Sequence, residues 1–211
     1  MPETLVDLPK DVEAVIFTLG SDGQGRIGAR AIDYGGVRNI LKVLKDVPVR
    51  IALMTTIAAT ERLSTWNQRT EVHDWKRRAE RLVRASGHPY TIVRPGWFDY
   101  NNDDEHKLVM LQGDRRHAGT PEDGVISRKQ IARVLISALS CDAAINKTLE
   151  LVAVKGQEQV NIEALFYKLK RDVSSKNDGV DDLDNMPVDD EAACIKSDLA
   201  DIKMNNGNEA D

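Results

Sequence analysis

Two hydrophobic periodicities take turns along the chain. Four segments are almost continuously apolar, which is typical of strands buried on both faces of a parallel sheet. The segments between them carry apolar residues at helical spacing, i, i+3, i+4 and i+7. Regular alternation of strand and helix predicts right-handed βαβ units and therefore an α/β fold, a Rossmann-like doubly wound parallel sheet. The four predicted strands are residues 12–18, 49–56, 90–94 and 148–154.

The helices are predicted from apolar stripes and from signals at their ends. Ser127 followed by Gln130 forms a capping box at the start of one helix. Gly87 and Pro89 end another helix, which begins near Trp66. The three apolar stripes are Val37, Ile40, Leu41 and Leu44; Ile131, Val134, Leu135 and Ala138; and Ile162, Leu165, Phe166 and Leu169.

Ligands of such folds bind beyond the carboxyl ends of the strands, so function is expected in the loops after Thr18, Thr56 and Arg94. Residues 23–28 in the first of these loops, Gly-Gln-Gly-Arg-Ile-Gly, match the dinucleotide motif GxGxxG. Residues 20–22 lengthen the turn between strand and motif, and no acidic residue ends the next strand to bind the ribose hydroxyls. A flexible loop is therefore favoured over a phosphate site.

Negative charge is concentrated at the C-terminus. The chain has 211 residues and a net charge of −5, and residues 171–211 contain twelve acidic and four basic side chains. This distribution predicts a body over residues 1–170 and an acidic extension over residues 171–211, solvated and partly disordered. A helix over residues 191–203, with Ile195 and Leu199 on its apolar side, could still dock onto the body.

Composition argues against several functional classes. No run of roughly 18 apolar residues is present to span a membrane, and the acidic balance argues against a nucleic-acid surface. Cys141 and Cys194 lie far apart outside any His or Cys cluster, so neither a disulfide framework nor a metal site is expected. The first ten residues lack a signal pattern, which favours a cytoplasmic location.

A lysine interrupts the apolar stripe of the helix that begins near Trp66. Val72, Lys76 and Ala79 share one face, which directs Lys76 toward the sheet. A snorkelling side chain at the edge of the core is the structural alternative. The neighbouring arginines are expected to be ordinary solvated charges; they are Arg77, Arg78, Arg81 and Arg84.

Residues 73–97 carry the pattern K-x-x-x-E-x-x-x-x-x-S-G-x-x-Y-T-I-V-R-P-G, and Ile-Ser-Arg-Lys-Gln-Ile-Ala follows at residues 126–132. In these stretches the chain resembles the atypical short-chain dehydrogenase/reductases, the NmrA-like NAD(P)-binding group. On that resemblance, residues 12–18 are the family's fourth strand. The preceding strands, with the GxxGxxG pyrophosphate turn, would be missing, so the body is a truncated NAD(P)-binding domain.

The resemblance also implies a cofactor, NAD or NADP, and a set of site residues. Lys76 would hold the nicotinamide ribose, and Thr56 would supply the hydroxyl near the nicotinamide; these two are the candidate catalytic residues. The candidate cofactor-binding residues are Thr18, Leu19 and Gly20 along the adenosine ribose, Thr55, Thr56 and Lys76, and Pro95, Gly96, Trp97 and Phe98 against the nicotinamide.

One departure from the family affects the chemistry. Val72 stands where an active reductase has tyrosine, so that proton donor is missing. His73 is rotated roughly 100° around the helix and should point away from the site. Tyr100 or Asp99 could substitute, although loop residues at that spacing more often belong to the plain surface.

Three hypotheses follow. The leading one is an NAD(P)-dependent oxidoreductase that transfers a hydride to a small carbonyl, quinone or flavin. The second is a non-catalytic dinucleotide-binding redox sensor. The third is an inactive fragment without nucleotide affinity, in which residues 12–18 form an apolar edge strand. The family also implies a homodimer through helices over residues 26–45 and 66–86.

Overall fold

The computed structural model describes residue 5 and residues 11–45, 47–173 and 175–203. A π-helical segment spans Ala29–Tyr34. The strands are β1 (Ala14–Phe17), β2 (Arg50–Met54), β3 (Tyr90–Pro95), β4 (Trp97–Phe98), β5 (Lys107–Leu111), β6 (Val125–Ile126) and β7 (Lys147–Val154). The helices are α1 (Gly25–Gly28), α2 (Gly35–Val43), α3 (Thr65–Thr70), α4 (Val72–Ala85), α5 (Arg128–Ser140), α6 (Glu163–Phe166) and α7 (Ala193–Lys203), with 3-10 turns at Pro121–Asp123, Asp142–Ala144 and Val188–Asp190.

The four predicted strands form one parallel sheet in the order β1-β2-β3-β7. One row of the register runs from Phe17 through Leu53 and Ile92 to Thr148. Helices cover both faces of this sheet, and each face has its own apolar core. The prediction of a Rossmann-like doubly wound parallel sheet is therefore confirmed.

Three short strands extend the sheet beyond the four predicted ones. β5 and β6 each pair antiparallel with β7, and β4 pairs parallel with β6. Two of these strands have only two residues, which is too short for a hydrophobic period to mark them. They carry the chain from the end of β3 to the start of α5.

β1 lies at the edge of the sheet, as the third hypothesis expects. Within the described ranges, β2 is the only strand that pairs with β1, and Ile16 is 37% exposed. The predicted stripe of α5 is buried, whereas in the stripe of α2 Ile40 is only partly buried. The capping box of Ser127 and Gln130 is formed. The helix predicted from Trp66 is divided, because Glu71 adopts a left-handed conformation with φ of 55° between α3 and α4.

The arginines of α4 are not solvated, which corrects the expectation from the sequence. Arg77 and Arg81 are buried, and both donate to the carboxylate of Asp178 over distances of 2.8–3.1 Å. Arg78 donates two hydrogen bonds to Glu191, and Arg84 lies 3.3 Å from Asp172. The acids of the C-terminal extension therefore serve as partners for the charged face of α4.

The C-terminal segment packs on the body over most of its described length. Ile195, Leu199 and Ile202 of α7 are buried in the core that α2 and α4 form. The predicted docking of this helix is therefore confirmed, whereas the expectation of a solvated extension is wrong for these residues. α7 covers part of the helix pair that the family resemblance assigns to dimer formation. In the portion of the chain that is described, no helix is long and apolar enough to cross a membrane.

Candidate functional site

A cavity of about 550 Å³ opens at the carboxyl ends of β2 and β3. This is the edge at which parallel α/β sheets bind their ligands, and the volume lies in the range of small-molecule sites. Loops contribute most of the lining, together with the first turns of α3 and α4. The lining residues are Thr56, Ile57, Ala58, Glu61, Ser64, Trp66, His73, Pro95, Gly96, Trp97, Phe98, His117, Ala118, Gly119 and Asp123.

Close backbone packing shapes the wall at the end of β3. A Cβ atom on Gly96 would lie 2.4 Å from the carbonyl oxygen of Gly124. Gly124 has a φ of +124°, and a Cβ atom there would lie 2.3 Å from Cγ1 of Val152. Gly96 must be glycine because a Cβ atom would clash with the backbone of Gly124, and Gly124 must be glycine because of its positive φ and the Val152 side chain. The Pro95-Gly96 wall is consequently rigid and apolar.

Five of the predicted site residues line the cavity. They are Thr56, Pro95, Gly96, Trp97 and Phe98. Thr55 does not, although it is adjacent to Thr56. Its hydroxyl is buried and donates a 2.7 Å hydrogen bond to Glu80 Oε1, so Thr55 ties β2 to α4.

Lys76 also lies outside the lining. Its ammonium is 2.7 Å from Oδ1 of Asp33, which is fully buried in the π-helical segment, and it donates to the carbonyl oxygen of Leu19 over 3.2 Å. The side chain therefore does not snorkel to solvent. It fixes the loop after β1, in which the other two candidates, Thr18 and Gly20, are exposed. Contact of Lys76 with a cofactor stays a prediction.

His73 lines the cavity, whereas Val72 and Lys76 do not. The sequence argument placed the site on the face of Val72 and Lys76, but Val72 packs against the core beside α2. His73 is in the first turn of α4, and its Nδ1 is 3.2 Å from the carbonyl oxygen of Glu61. Burial lowers the pKa of His73 below its ordinary value, which favours the neutral imidazole.

A second histidine of the cavity, His117, was not indicated by any sequence pattern. Its Nδ1 is 3.3 Å from Glu61 Oε2, while its Nε2 is 3.4 Å from the hydroxyl of Thr60 and 3.7 Å from Asp114 Oδ2. The neighbouring carboxylate of Asp114 raises the pKa of His117, and the charge of Glu61 raises it further against the effect of burial. A lone histidine in a polar loop gives no signal that could have revealed this cluster.

Asp114 holds the floor of the site in place. Its carboxylate is buried and accepts hydrogen bonds from the backbone N–H groups of Ala58 at 2.8 Å and Thr60 at 2.6 Å. Burial alone would raise the pKa of Asp114, but His117, Arg94 and Thr60 together lower it to about 2. Asp114 is therefore ionised at neutral pH.

A separate network of charges lies beneath the site. Glu80 and Arg94 are completely buried and face each other through two hydrogen bonds of 2.7 and 2.9 Å. Arg94 also donates to both oxygens of Asp182, and Arg84 donates to Glu80. Burial opposes the charge of Glu80, but the two arginines hold its pKa below the ordinary range. This network joins α4, β3 and the C-terminal segment.

The donor set of the cavity fits the nicotinamide end of a dinucleotide. A ring of that kind needs a flat apolar wall and a few polar groups, which Pro95, Gly96 and the Thr56 hydroxyl provide. No glycine-rich turn leads directly from a strand into a long helix within the described residues, so the pyrophosphate end has no comparable cradle there. The described ranges also contain no group of three or more His, Cys, Asp or Glu side chains that could hold a metal ion.

Known proteins share this architecture. The chain is 26% identical to an uncharacterized sugar epimerase, YhfK, of Bacillus subtilis over 152 residues, which cover 71% of this chain and 67% of YhfK. It is 32% identical to sanguinarine reductase of Eschscholzia californica over 98 residues, 45% of this chain and 35% of that protein. A putative NAD-dependent epimerase/dehydratase structure from Bacillus halodurans superposes with a TM-score of 0.61 at 20% identity, covering 74% of this chain and 70% of that one.

The sequence profile of an NAD(P)H-binding family matches residues 1–142, well over half of the chain. Together with the Rossmann-like neighbours, this match confirms the resemblance drawn from residues 73–97 and the assignment of NAD or NADP as the cofactor. The chain belongs to this NAD(P)H-binding family and has a Rossmann-like fold.

Proposed function

We propose that the protein reduces a small carbonyl, quinone or flavin substrate by hydride transfer in the cavity at the ends of β2 and β3. The observation that carries this proposal is the convergence of Thr56 and residues 95–98 on one cavity, beside two histidines. A bound NADH or NADPH supplies the hydride and its two electrons. The protein's part is to bind, to orient, to exclude water and to manage the proton.

The wall formed by Pro95, Gly96 and Trp97 would pack against the nicotinamide ring and keep water from one side of it. The Thr56 hydroxyl at the rim would orient the carboxamide or the substrate. Lys76 would act from outside the cavity, because its bond to the Leu19 carbonyl fixes the loop expected along the adenosine ribose. The name of one relative, sanguinarine reductase, also supports reductive chemistry.

Titration with NADPH and NADH, followed by tryptophan fluorescence, tests the proposal. Trp66 and Trp97 line the cavity, whereas Trp75 packs against Tyr34 away from it. We expect a saturable change in the wild type that persists in Trp75→Phe and is largely lost in a Trp66→Phe, Trp97→Phe double variant. The absence of any saturable change in the wild type would contradict cofactor binding.

A second candidate function is a redox sensor that binds the dinucleotide without turnover. Val72 in place of the family's tyrosine favours it, because that position offers no proton donor. Saturable cofactor binding combined with no reduction of any quinone, aldehyde or flavin would support the sensor. Turnover of any of these acceptors would exclude it.

A further inference from the structure

The proposed reduction also requires a proton donor. When a carbonyl or quinone accepts a hydride, its oxygen becomes an anion that needs a proton. Resting on the proposed function, we propose that His117 donates this proton from Nδ1 to the substrate oxygen, with Asp114 as the residue that positions the imidazole. His117 thereby takes the role that Val72 cannot fill.

The two ring nitrogens of His117 have different surroundings. Nε2 faces inward, toward Thr60 and the fully buried carboxylate of Asp114. Nδ1 faces Glu61, and both of these residues line the cavity, with side chains 21% and 26% exposed. The backbone of Ala58 and Thr60 holds the Asp114 carboxylate in place, so its negative charge lies 3.7 Å from Nε2 and favours a proton on that nitrogen. The proton on Nδ1 is the one that the cavity can reach.

Two carboxylates, those of Glu61 and Asp114, face His117 directly. Asp114 and Glu61 both favour the imidazolium, while Arg94 on β3 and Glu150 on β7 act indirectly through Asp114. On the other side of the Glu61 loop, burial holds His73 in its neutral form. Two histidines of one cavity thus have pKa values shifted in opposite directions, which is the pattern that separates a proton donor from an acceptor.

Other acids near the cavity are already occupied or lie outside it. Asp99 pairs with Arg128 on the surface, and Tyr100 is 63% exposed and stacks edge-on against Trp97. Neither of them belongs to the lining. Asp123 does, but its carboxylate accepts the N–H groups of Ala118 and Gly119, each at 2.7 Å.

The reduction transfers one hydride and one proton to the substrate. The substrate carbon gains a hydride and its two electrons, the C=O π bond opens onto oxygen, and the oxidised nicotinamide remains. The oxygen then takes the proton as the Nδ1–H bond of His117 breaks and an O–H bond forms. His117 becomes neutral with its proton on Nε2, and solvent restores the Nδ1 proton at the partly exposed edge. The substrate is the oxidant, and NADH or NADPH is the reductant.

NMR titration of the histidine rings tests the resting site without any cofactor. We expect the pKa of His117 to lie above the ordinary histidine value of about 6.5, and its neutral form to carry the proton on Nε2. Glu61→Gln should lower the pKa of His117. A pKa of His117 at or below that ordinary value, or a neutral form with its proton on Nδ1, would overturn the inference.

Steady-state kinetics with a quinone acceptor form the second part of the test. His117→Gln should lower kcat about 100-fold or more and remove the fall of kcat at high pH, while the Kd for NADPH measured by fluorescence stays unchanged. His106→Gln is the matched control and should leave kcat as in the wild type. An unchanged kcat in His117→Gln would refute the assignment of His117. Failure of the wild type to bind NADPH would instead refute the proposed function, and the ring titration still decides the state of His117.

Discussion

Two clusters of charged side chains lie on either side of the carboxyl edge of the sheet. The inner cluster consists of Glu80, Arg94, Arg84, Asp172 and Asp182, whose side chains are at most 5% exposed. The outer cluster consists of Glu61, His117 and Asp114 and borders the cavity. In the inner cluster each charge has a hydrogen-bonded counter-charge, whereas in the outer cluster the contacts of His117 are 3.3 Å or longer.

This difference separates a structural network from a reactive one. Fully paired buried charges are held in one protonation state, because any change leaves an uncompensated ion in a low-dielectric interior. A partly exposed histidine between two acids can lose and regain a proton at moderate cost. Glu150 connects the clusters, since its Oε1 accepts the backbone N–H of Asp114 and it lies near Arg94 and Asp182.

The largest expected effect is that of breaking the inner cluster. Glu80→Gln removes the shared carboxylate of Arg94 and Arg84 and should lower the free energy of unfolding by about 3–5 kcal/mol, measured by urea denaturation. Asp104→Asn breaks the exposed 2.7 Å pair with Lys155 and should change the free energy of unfolding by less than about 1 kcal/mol. Equal effects of the two substitutions would show that burial does not distinguish the inner cluster.

Glu150, which lies between the two clusters, should make the stability of the protein depend on pH. Burial, together with the charge of Asp114, raises the pKa of Glu150 to about 7, while Arg94 opposes this shift. The unfolded chain has the lower pKa, so between about pH 4.5 and 7 it binds fewer protons at this site, and stability falls as pH rises. Glu150→Gln should remove this fall in the free energy of unfolding, which amounts to about 3 kcal/mol across the pH window.

Urea denaturation across that pH window measures the effect. The exposed Glu158→Gln, which affects a surface pair with Arg133, is the control and should keep the wild-type slope. A slope retained in Glu150→Gln would mean that Glu150 is ionised throughout the range.

The C-terminal segment depends on a partly exposed part of the charged face. Asp178→Asn weakens the anchor of Arg77 and Arg81 and should cost about 2 kcal/mol, less than Glu80→Gln because Asp178 is 18% exposed. Hydrogen exchange should show loss of protection in α7. The surface variant Asp181→Asn, which loses a pair with Lys170, should leave α7 protected. Unchanged protection in Asp178→Asn would show that apolar packing alone holds α7.

Thr55 and Thr56 are adjacent, but Thr55 contacts the inner cluster and Thr56 lines the cavity. Thr55→Val removes the 2.7 Å hydrogen bond to Glu80 and should lower the free energy of unfolding by about 1–2 kcal/mol. Thr56→Val lies at the cavity and should instead weaken NADPH binding with little change in stability. If Thr55→Val weakened NADPH binding and Thr56→Val lowered the stability, Thr55 would belong to the site and Thr56 to the structural network.

Much of the architecture could be predicted from local patterns. Residues 49–56, 90–94 and 148–154 are apolar because they lie between two helical layers, so the sequence marks them as central strands. Ser127 and Gln130 cap α5 through contacts within four residues, which sequence spacing specifies directly. The family pattern likewise indicates five residues of the cavity wall, because those residues are contiguous with the motif or end a predicted strand.

The site residues that the sequence did not indicate depend on contacts between distant segments. His117 and Glu61 are separated by 56 positions, and Arg81 and Asp178 by 97. Hydrophobic periodicity does not reveal such pairs, so the sequence predicted solvated side chains for Arg77 and Arg81 and did not indicate His117.

By itself, the sequence determined the strands, the helical stripes and the NAD(P)-binding family, since these depend on hydrophobic spacing and on a contiguous motif. Only the tertiary structure decided which face of α4 borders the cavity, placing His73 there and Lys76 against Asp33. It also decided which charges are paired and which can titrate. The physical reason is that a side chain's protonation and burial are set by neighbours that the fold brings together from far along the chain.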